Sequence, residues 1–273
     1  MTSVNSQTPV SAARTDVLQK AGREIPQNWQ ELIDLAQSGL VAFAGLKLDC
    51  LMHFYTLCVA EGGSPFCQES ELVDSDVAAA ALNALKQLTQ ACGSDCLKRN
   101  PIAVYELMTT GDSHGYSPFA YGYSNYARQS YVDKPLVFGG LVQRHGRTLT
   151  STLGGCGLAV SVFSQHQEQA VKYAEFVACE RIQKGLFTAA GGQAGHRSAW
   201  LDSHNNQLSN NYFLNTLPTL DAAYVRPRYN GYIHFQEQAP DVLMRFLKGE
   251  ASLSMTIQNL NELDKRWRQG RIN

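Results

Sequence analysis

LVAFAGLKLDCLMHFYTLCVAEGG, residues 40–63, joins two kinds of hydrophobic pattern. Its first six residues, Leu40 to Gly45, form an unbroken apolar run that reads as a short buried strand. From Asp49 the segment is apolar on nearly every face until Glu61-Gly62-Gly63, which reads as a core helix with Asp49 as its cap. A buried strand feeding a buried helix is the repeating unit of an α/β protein.

The pattern continues on both sides. NWQELIDLAQSG has Asn28 as N-cap, Glu31 three residues later, apolar residues at 29, 32, 33 and 36, and Gly39 as a stop. Val77 to Cys92 carries Ala78, Ala81, Leu82, Leu85 and Leu88 on one stripe and ends at Gly93. In RNPIAVYELMTTG, Asn100 caps a helix with Pro101 at its first position. PLVFGGL (135–141) reads as a strand, and TLGGCGLAVSVFS as a glycine turn followed by a strand over Gly157–Phe163. Ser164 and Gln167 open a helix through Ala178, a further helix runs to about Ala190, and Pro240 starts another. In the last helix Leu253, Ile257, Leu260, Leu263 and Trp267 share one side.

Composition narrows the function. Lys+Arg of 23 against Asp+Glu of 24 gives a net charge of −1, with no block of like charge. The electrostatic footprint of a nucleic-acid binder is missing, and neutral solutes fit the balance better than phosphate-rich ones. No apolar run approaches the ~20 residues that span a bilayer. MTSVNSQTPVSAARTD reads as a polar, mobile arm with no signal-peptide pattern, which by itself implies a cytoplasmic chain. Of the seven cysteines (50, 58, 67, 92, 96, 156, 179), most sit in apolar segments and read as buried free thiols. Cys92 and Cys96 flank a turn and could close a small loop in an oxidising compartment. No metal-ligand spacing accompanies any of them, and no cofactor motif is present.

Three loop-like segments share one chemistry: PFAYGYSNYARQSY (118–131), GGQAGHRSAW (191–200) and YVRPRYNGYIHFQ (224–236). Each mixes aromatic rings with amides, Arg or His, and glycine. Rings stack on the apolar faces of sugars while forked donors and amides meet hydroxyls, so the three together suggest a pocket for a small polar solute. Catalytic patterns are weaker. GGCGLA lacks the full dinucleotide-binding spacing, no nucleophile elbow occurs, and only a carboxylate pair drawn from Asp49, Asp112 and Asp221 would serve a small glycoside hydrolase.

With these residues in view, the sequence resembles the carbohydrate-type solute-binding proteins of ABC importers, which include the maltose- and glycerol-phosphate-binding proteins. The resemblance rests on IPQNWQELIDLA, NPIAVYELM, YGYSNYA, STLGGCGLAVS, AGGQAGHRSAW, NTLPTLDAAYVRPRYNGYIHFQ and FLKGE, in order over nearly the whole chain. It implies a type II periplasmic-binding-protein-like α/β fold, a non-catalytic role, a sugar or polyol ligand, an ABC permease as partner and a location outside the membrane. It also implies cleft positions at Asp49, Tyr121, Tyr123, Asn125, Gly154, Gly155, Gln193, His196, Arg197, Arg228, Tyr229 and Tyr232.

The match begins where a family member has already crossed into its second lobe. The expected division is therefore a polar arm (1–12), a largely intact second lobe (13–150), a remnant of the first lobe (151–205) and a C-terminal segment packing on the second lobe (206–273). Such a remnant would expose apolar surface and strand edges, which suggests a homo-oligomer or a complementary fragment as partner. The alternative function is a degenerate paralogue working as an interaction or sensor module.

Overall fold

The computed structural model describes residues 2–68 and 71–268. Two strands open the chain, Thr2–Gln7 (β1) and Pro9–Ala13 (β2). Helices follow at Thr15–Lys20 (α1), Trp29–Gln37 (α2), Lys47–Ala60 (α3), Ser75–Cys92 (α4) and Pro101–Thr110 (α5). The middle holds strands Tyr116–Tyr121 (β3) and Val137–Gly139 (β4), a hairpin of Gln143–Arg144 (β5) and Arg147–Thr148 (β6), and Gly154–Leu158 (β7). The remainder is helical: Gln167–Ala178 (α6), Glu180–Ile182 (α7), Arg197–Trp200 (α8), Ser203–Leu208 (α9), Tyr212–Asp221 (α10), Tyr232–Leu247 (α11) and Leu253–Arg268 (α12).

Local signals set several of these ends. The Glu31 amide donates to Asn28 Oδ1 at 3.1 Å, and the Glu31 carboxylate accepts the Gln27 amide at 2.7 Å. This reciprocal arrangement satisfies donors that the first turn of α2 leaves free. Asn100 Oδ1 accepts from the Ala103 amide at 2.9 Å, with Pro101 at the first helical position as expected.

The larger body has three layers. An antiparallel sheet ordered β3-β2-β4 forms the middle. Phe43, Phe54, Leu85, Phe119, Phe235 and Leu243 fill one side with α2, α3, α4, α11 and α12. Val10, Tyr105, Phe138, Trp200, Tyr212 and Phe213 fill the other with α5, α8 and α10. Burying one such aromatic contributes about 1.5–3 kcal/mol, so these two cores carry the body's stability. Residues Cys50 to Cys58 of α3 are buried without a gap, which fits the core-helix reading.

Residues 2–13 are not a mobile arm. β2 is buried along its whole length at the centre of the sheet, and β1 pairs antiparallel with β7. Backbone pairing does not depend on hydrophobic side chains, so the small and polar residues of TSVNSQ and PVSAA concealed both strands. Residues 40–45 also differ from expectation, since only Val41 bridges to Tyr116. Val41 and Phe43 enter one core while Ala42 and Ala44 enter the other, which accounts for the apolar run without a ladder.

The smaller unit is β1, β7, α6, α7 and the π-helical turn Gln183–Phe187. The strand expected over 157–163 ends at Leu158, and Val162 and Phe163 stand 78% and 87% exposed. Tyr173, Phe176 and Leu186 are exposed beside α6, whose one buried residue is Ala174. Residues 197–205, expected with this remnant, pack instead into the larger body through Ala199, Trp200 and the Asn205–Ala199 hydrogen bond. Among the described residues no helix is long and apolar enough to cross a membrane.

Candidate functional site

The chain passes between the two units at Thr8, at 151–153 and near Gln193, and polar side chains bind these passages together. The Thr8 hydroxyl lies 2.7 Å from Ser151 Oγ and donates to the Thr152 carbonyl, while Ser151 Oγ donates to the Pro9 carbonyl. Tyr224 joins the bundle by donating its amide to Ser151 and accepting from Leu153. Gln193 accepts the Ser124 amide at 3.0 Å and donates to the Ser6 carbonyl at 3.1 Å.

Beside this junction lies an open cavity of about 500 Å³. One wall is Gly154–Gly157 of β7 with Ser3 of β1. The other is Val225–Arg228 together with Tyr232, Ile233 and Gln236 from the first turns of α11. The glycines keep the first wall free of bulk, so a solute meets backbone there. A Cβ on Gly154 would stand 2.6 Å from the Tyr121 ring, which packs directly behind that wall.

The second wall is partly helical, not wholly a loop as its sequence suggested. Spacing of one and four residues puts Tyr232, Ile233 and Gln236 on the cavity side of α11. Pro240 lies inside this helix and lacks the N–H that would bond the Gln236 carbonyl. Tyr232 is 5% exposed, and among the described residues its buried hydroxyl has no hydrogen-bond partner. Arg226 donates from Nη1 to Gln236 Oε1 at 2.6 Å.

Of the expected cleft residues, Gly154, Gly155, Arg228 and Tyr232 line the cavity. Tyr121 sits behind it with its hydroxyl 3.0 Å from Thr152 Oγ1. Asp49 lies in the first turn of α3 and is not its cap. It is half-buried, burial pushes its carboxyl up to about 7, and its charge acts on the hydroxyls of Tyr121 and Tyr123. Asn125 packs against Gly191, and its buried Oδ1 has no partner among the described residues.

The remaining residues are engaged elsewhere. Gln193 is spent between Ser124 and Ser6. His196 caps α8 through Ser198, with Nδ1 2.7 Å from its hydroxyl. Arg197 makes a two-pronged, exposed pair with Asp221 at 2.6 and 2.7 Å. Tyr229 donates to the buried carboxylate of Asp264 at 3.0 Å and packs its ring near Phe66. Arg226, Gln236, Ser3 and Cys156 escaped the sequence reading. Arg226 and Gln236 both lie within 224–236, and helical spacing from Tyr232, the first residue of α11, brings Gln236 to the same side.

The carboxylates weighed for hydrolysis do not gather. Asp112 is held down to about 2 by Lys134 and Arg14, and Asp221 is paired with Arg197. None of Asp49, Asp112 and Asp221 lines the cavity. The cysteines are all free, with Cys50, Cys58 and Cys96 buried but Cys67, Cys156 and Cys179 exposed. Cys92 and Cys96 close no loop. Among the described residues there is no cluster of three or more His, Cys, Asp or Glu suited to a metal.

No family model matches the chain, and no curated protein sequence matches it. Solved structures do. Maltose-bound MalE3 of T. maritima superposes with a TM-score of 0.83 at 18% identity, over 96% of this chain and 72% of that one. An ABC transporter solute-binding protein of Agrobacterium radiobacter K84 in complex with ribitol gives 0.81 at 17%, over 97% and 70%. One from Thermotoga lettingae TMO with α-D-tagatose gives 0.80 at 16%, over 96% and 71%. The fold is therefore that of the type II periplasmic solute-binding proteins of ABC transporters. The chain spans about seven-tenths of the length of these neighbours, in keeping with a partial first lobe.

Proposed function

We propose that this chain is a non-catalytic binder of a sugar or polyol that serves an ABC permease outside the membrane. The observation that carries the reading is the cavity between the glycine wall of β7 and the Val225–Gln236 wall. It combines a ring, Tyr232, with forked donors, Arg226 and Arg228, and an amide, Gln236, which is the set a polyhydroxylated solute needs. The fold supports the same role, because its solved examples were captured with maltose, ribitol and tagatose.

Thermal unfolding against monosaccharides, disaccharides and polyols tests it. A ligand at 100 times its dissociation constant adds about 2.7 kcal/mol to stability. At roughly 2–4 °C per kcal/mol, the midpoint rises by several degrees for the right solute class. No shift with any solute counts against the reading.

A second reading rests on a different surface. Val162, Phe163, Tyr173, Phe176 and Leu186 expose apolar side chains on the smaller unit, which favours a protein-interaction module built on the same fold. Association through those residues without any solute response would favour it over the first.

A further inference from the structure

Resting on the sugar-binding reading, the cavity's charge points to a narrower class of solute. We infer that the ligand is an anionic sugar or polyol, a hydroxylated solute bearing one carboxylate or phosphate, and that Arg226 and Arg228 receive its charge.

Among the described residues the cavity wall holds two guanidiniums and no carboxylate. They flank Pro227, whose ring restricts the backbone between them. Elsewhere in the fold, Arg14, Arg144 and Arg268 each meet an acidic side chain at 2.6–2.9 Å. Among the described residues neither Arg226 nor Arg228 forms an ion pair. Arg226 is half-buried, and its side chain donates to the neutral amide of Gln236. That bond orients the guanidinium and leaves both its charge and its other N–H groups available.

Burial pushes the Tyr121 and Tyr232 hydroxyls up, and the Arg226 charge at the cavity's edge acts against that rise. Among the described residues the Arg228 fork at this cavity has no side-chain partner, and such a fork recruits an anion well, because charge-assisted bonds from Arg to carboxylate or phosphate are geometrically matched and strong. The opposing wall favours the same ligand. Gly154, Gly155 and Gly157 place no side chain in the way, so a bulky anionic group can approach the backbone closely. Val225, Pro227 and Ile233 supply apolar surface for the carbon face of a ring. A balanced net charge of −1 suggested neutral solutes, but net charge says nothing about where the charges lie. Here two positive charges stand together at one cavity.

Isothermal titration calorimetry on the full chain decides the matter, using matched probes: D-glucose against D-glucuronate, and ribitol against ribitol 5-phosphate. The wild type is compared with Arg226→Gln, Arg228→Gln and the control Arg245→Gln, after circular dichroism shows each to be folded. The expected result is that at least one acidic probe binds about tenfold or more tightly than its neutral parent. Arg226→Gln or Arg228→Gln then removes most of that preference, and Arg245→Gln leaves it intact. Binding of glucuronate alone selects the carboxylate, and binding of the phosphate alone selects the phosphate.

Neutral probes binding as well as or better than their acidic partners would overturn the inference while leaving the sugar-binding reading standing. Acid binding that survives both cavity substitutions would also overturn it. No binding by any of the four would count against both.

Discussion

The Tyr121 hydroxyl lies 3.0 Å from Thr152 Oγ1, so the end of β3 is tied to the passage that leads into the smaller unit. The same ring backs the glycine wall of the cavity at Gly154. One side chain thus links the core of the larger body to the shape of the site. Tyr121→Phe is expected to cost about 1 kcal/mol in denaturant unfolding. Gly154→Ala is expected to displace the ring and weaken solute binding more than Tyr121→Phe does, as titration of both variants would reveal.

Asp49 and His53 lie one turn apart on α3 and titrate in opposite senses. Burial raises the Asp49 carboxyl to about 7 from an ordinary value of 3.8, so folding loses stability as pH rises from about 4 to 7. Burial lowers His53 to about 4 from 6.5, so folding loses stability as pH falls from about 6.5 to 4. Between about 4 and 6.5 the two slopes oppose each other. Asp49→Asn should therefore unmask the histidine, with stability rising with pH across that window more steeply than in the wild type. Urea unfolding at pH 4.5 and 6.5, two settings on the order of those limits, measures the difference. Parallel slopes in the two proteins would refute it.

Arg228 and Tyr229 are neighbours with separate duties. Arg228→Ala is expected to weaken solute binding more than about tenfold, since a charge-assisted bond is worth about 1.5–3 kcal/mol. Tyr229→Phe removes the 3.0 Å bond to Asp264, a carboxylate 1% exposed. It should lower stability by about 1–2 kcal/mol and leave affinity unchanged. Arg197→Ala, freed only from its exposed pair with Asp221, should change neither by much.

Arg14 is the structural counterpart to the cavity arginines. Its buried guanidinium bonds Asp16, Asp112 and the carbonyls of Met108 and Gly111. Arg14→Met leaves two carbonyls short of donors and should cost about 2–4 kcal/mol in thermal or denaturant unfolding, with the fold retained.

The exposed apolar residues of the smaller unit carry their own expectation. Analytical ultracentrifugation should show mass rising with concentration, and Phe163→Ser with Phe176→Ser should suppress it. A strictly monomeric wild type at high concentration would contradict this.

Helix caps and the core helix were legible because their signals are local: Asn28 with Glu31, Asn100 with Pro101, and the unbroken apolar run of α3. β1 and β2 were not, because a strand held by backbone pairing needs no apolar pattern, and PVSAA buries small residues at the sheet's centre. The start of α11 was hidden by Asn230-Gly231 ahead of it and Pro240 within it, both of which ordinarily mark breaks. That error cost Gln236, which helical spacing alone would have joined to Tyr232. Gly154 and Gly155 came from the family resemblance, whereas chemical flavour pointed equally to Tyr232, which lines the cavity, and to Tyr229, which bonds Asp264. Flavour could not separate Arg228, which faces the cavity, from Arg197, which a carboxylate 24 residues away holds on the surface.

The most direct test of the cavity uses the thiol already in its wall. Cys156 is exposed and lines the cavity, whereas Cys179 is exposed outside it. Alkylation rates at each thiol, followed by peptide mass spectrometry, would be compared with and without maltose, ribitol, tagatose and D-glucuronate. The account predicts that at least one solute slows alkylation of Cys156 and leaves Cys179 unchanged. A solute that binds by calorimetry yet leaves Cys156 as reactive as before would place the binding site elsewhere.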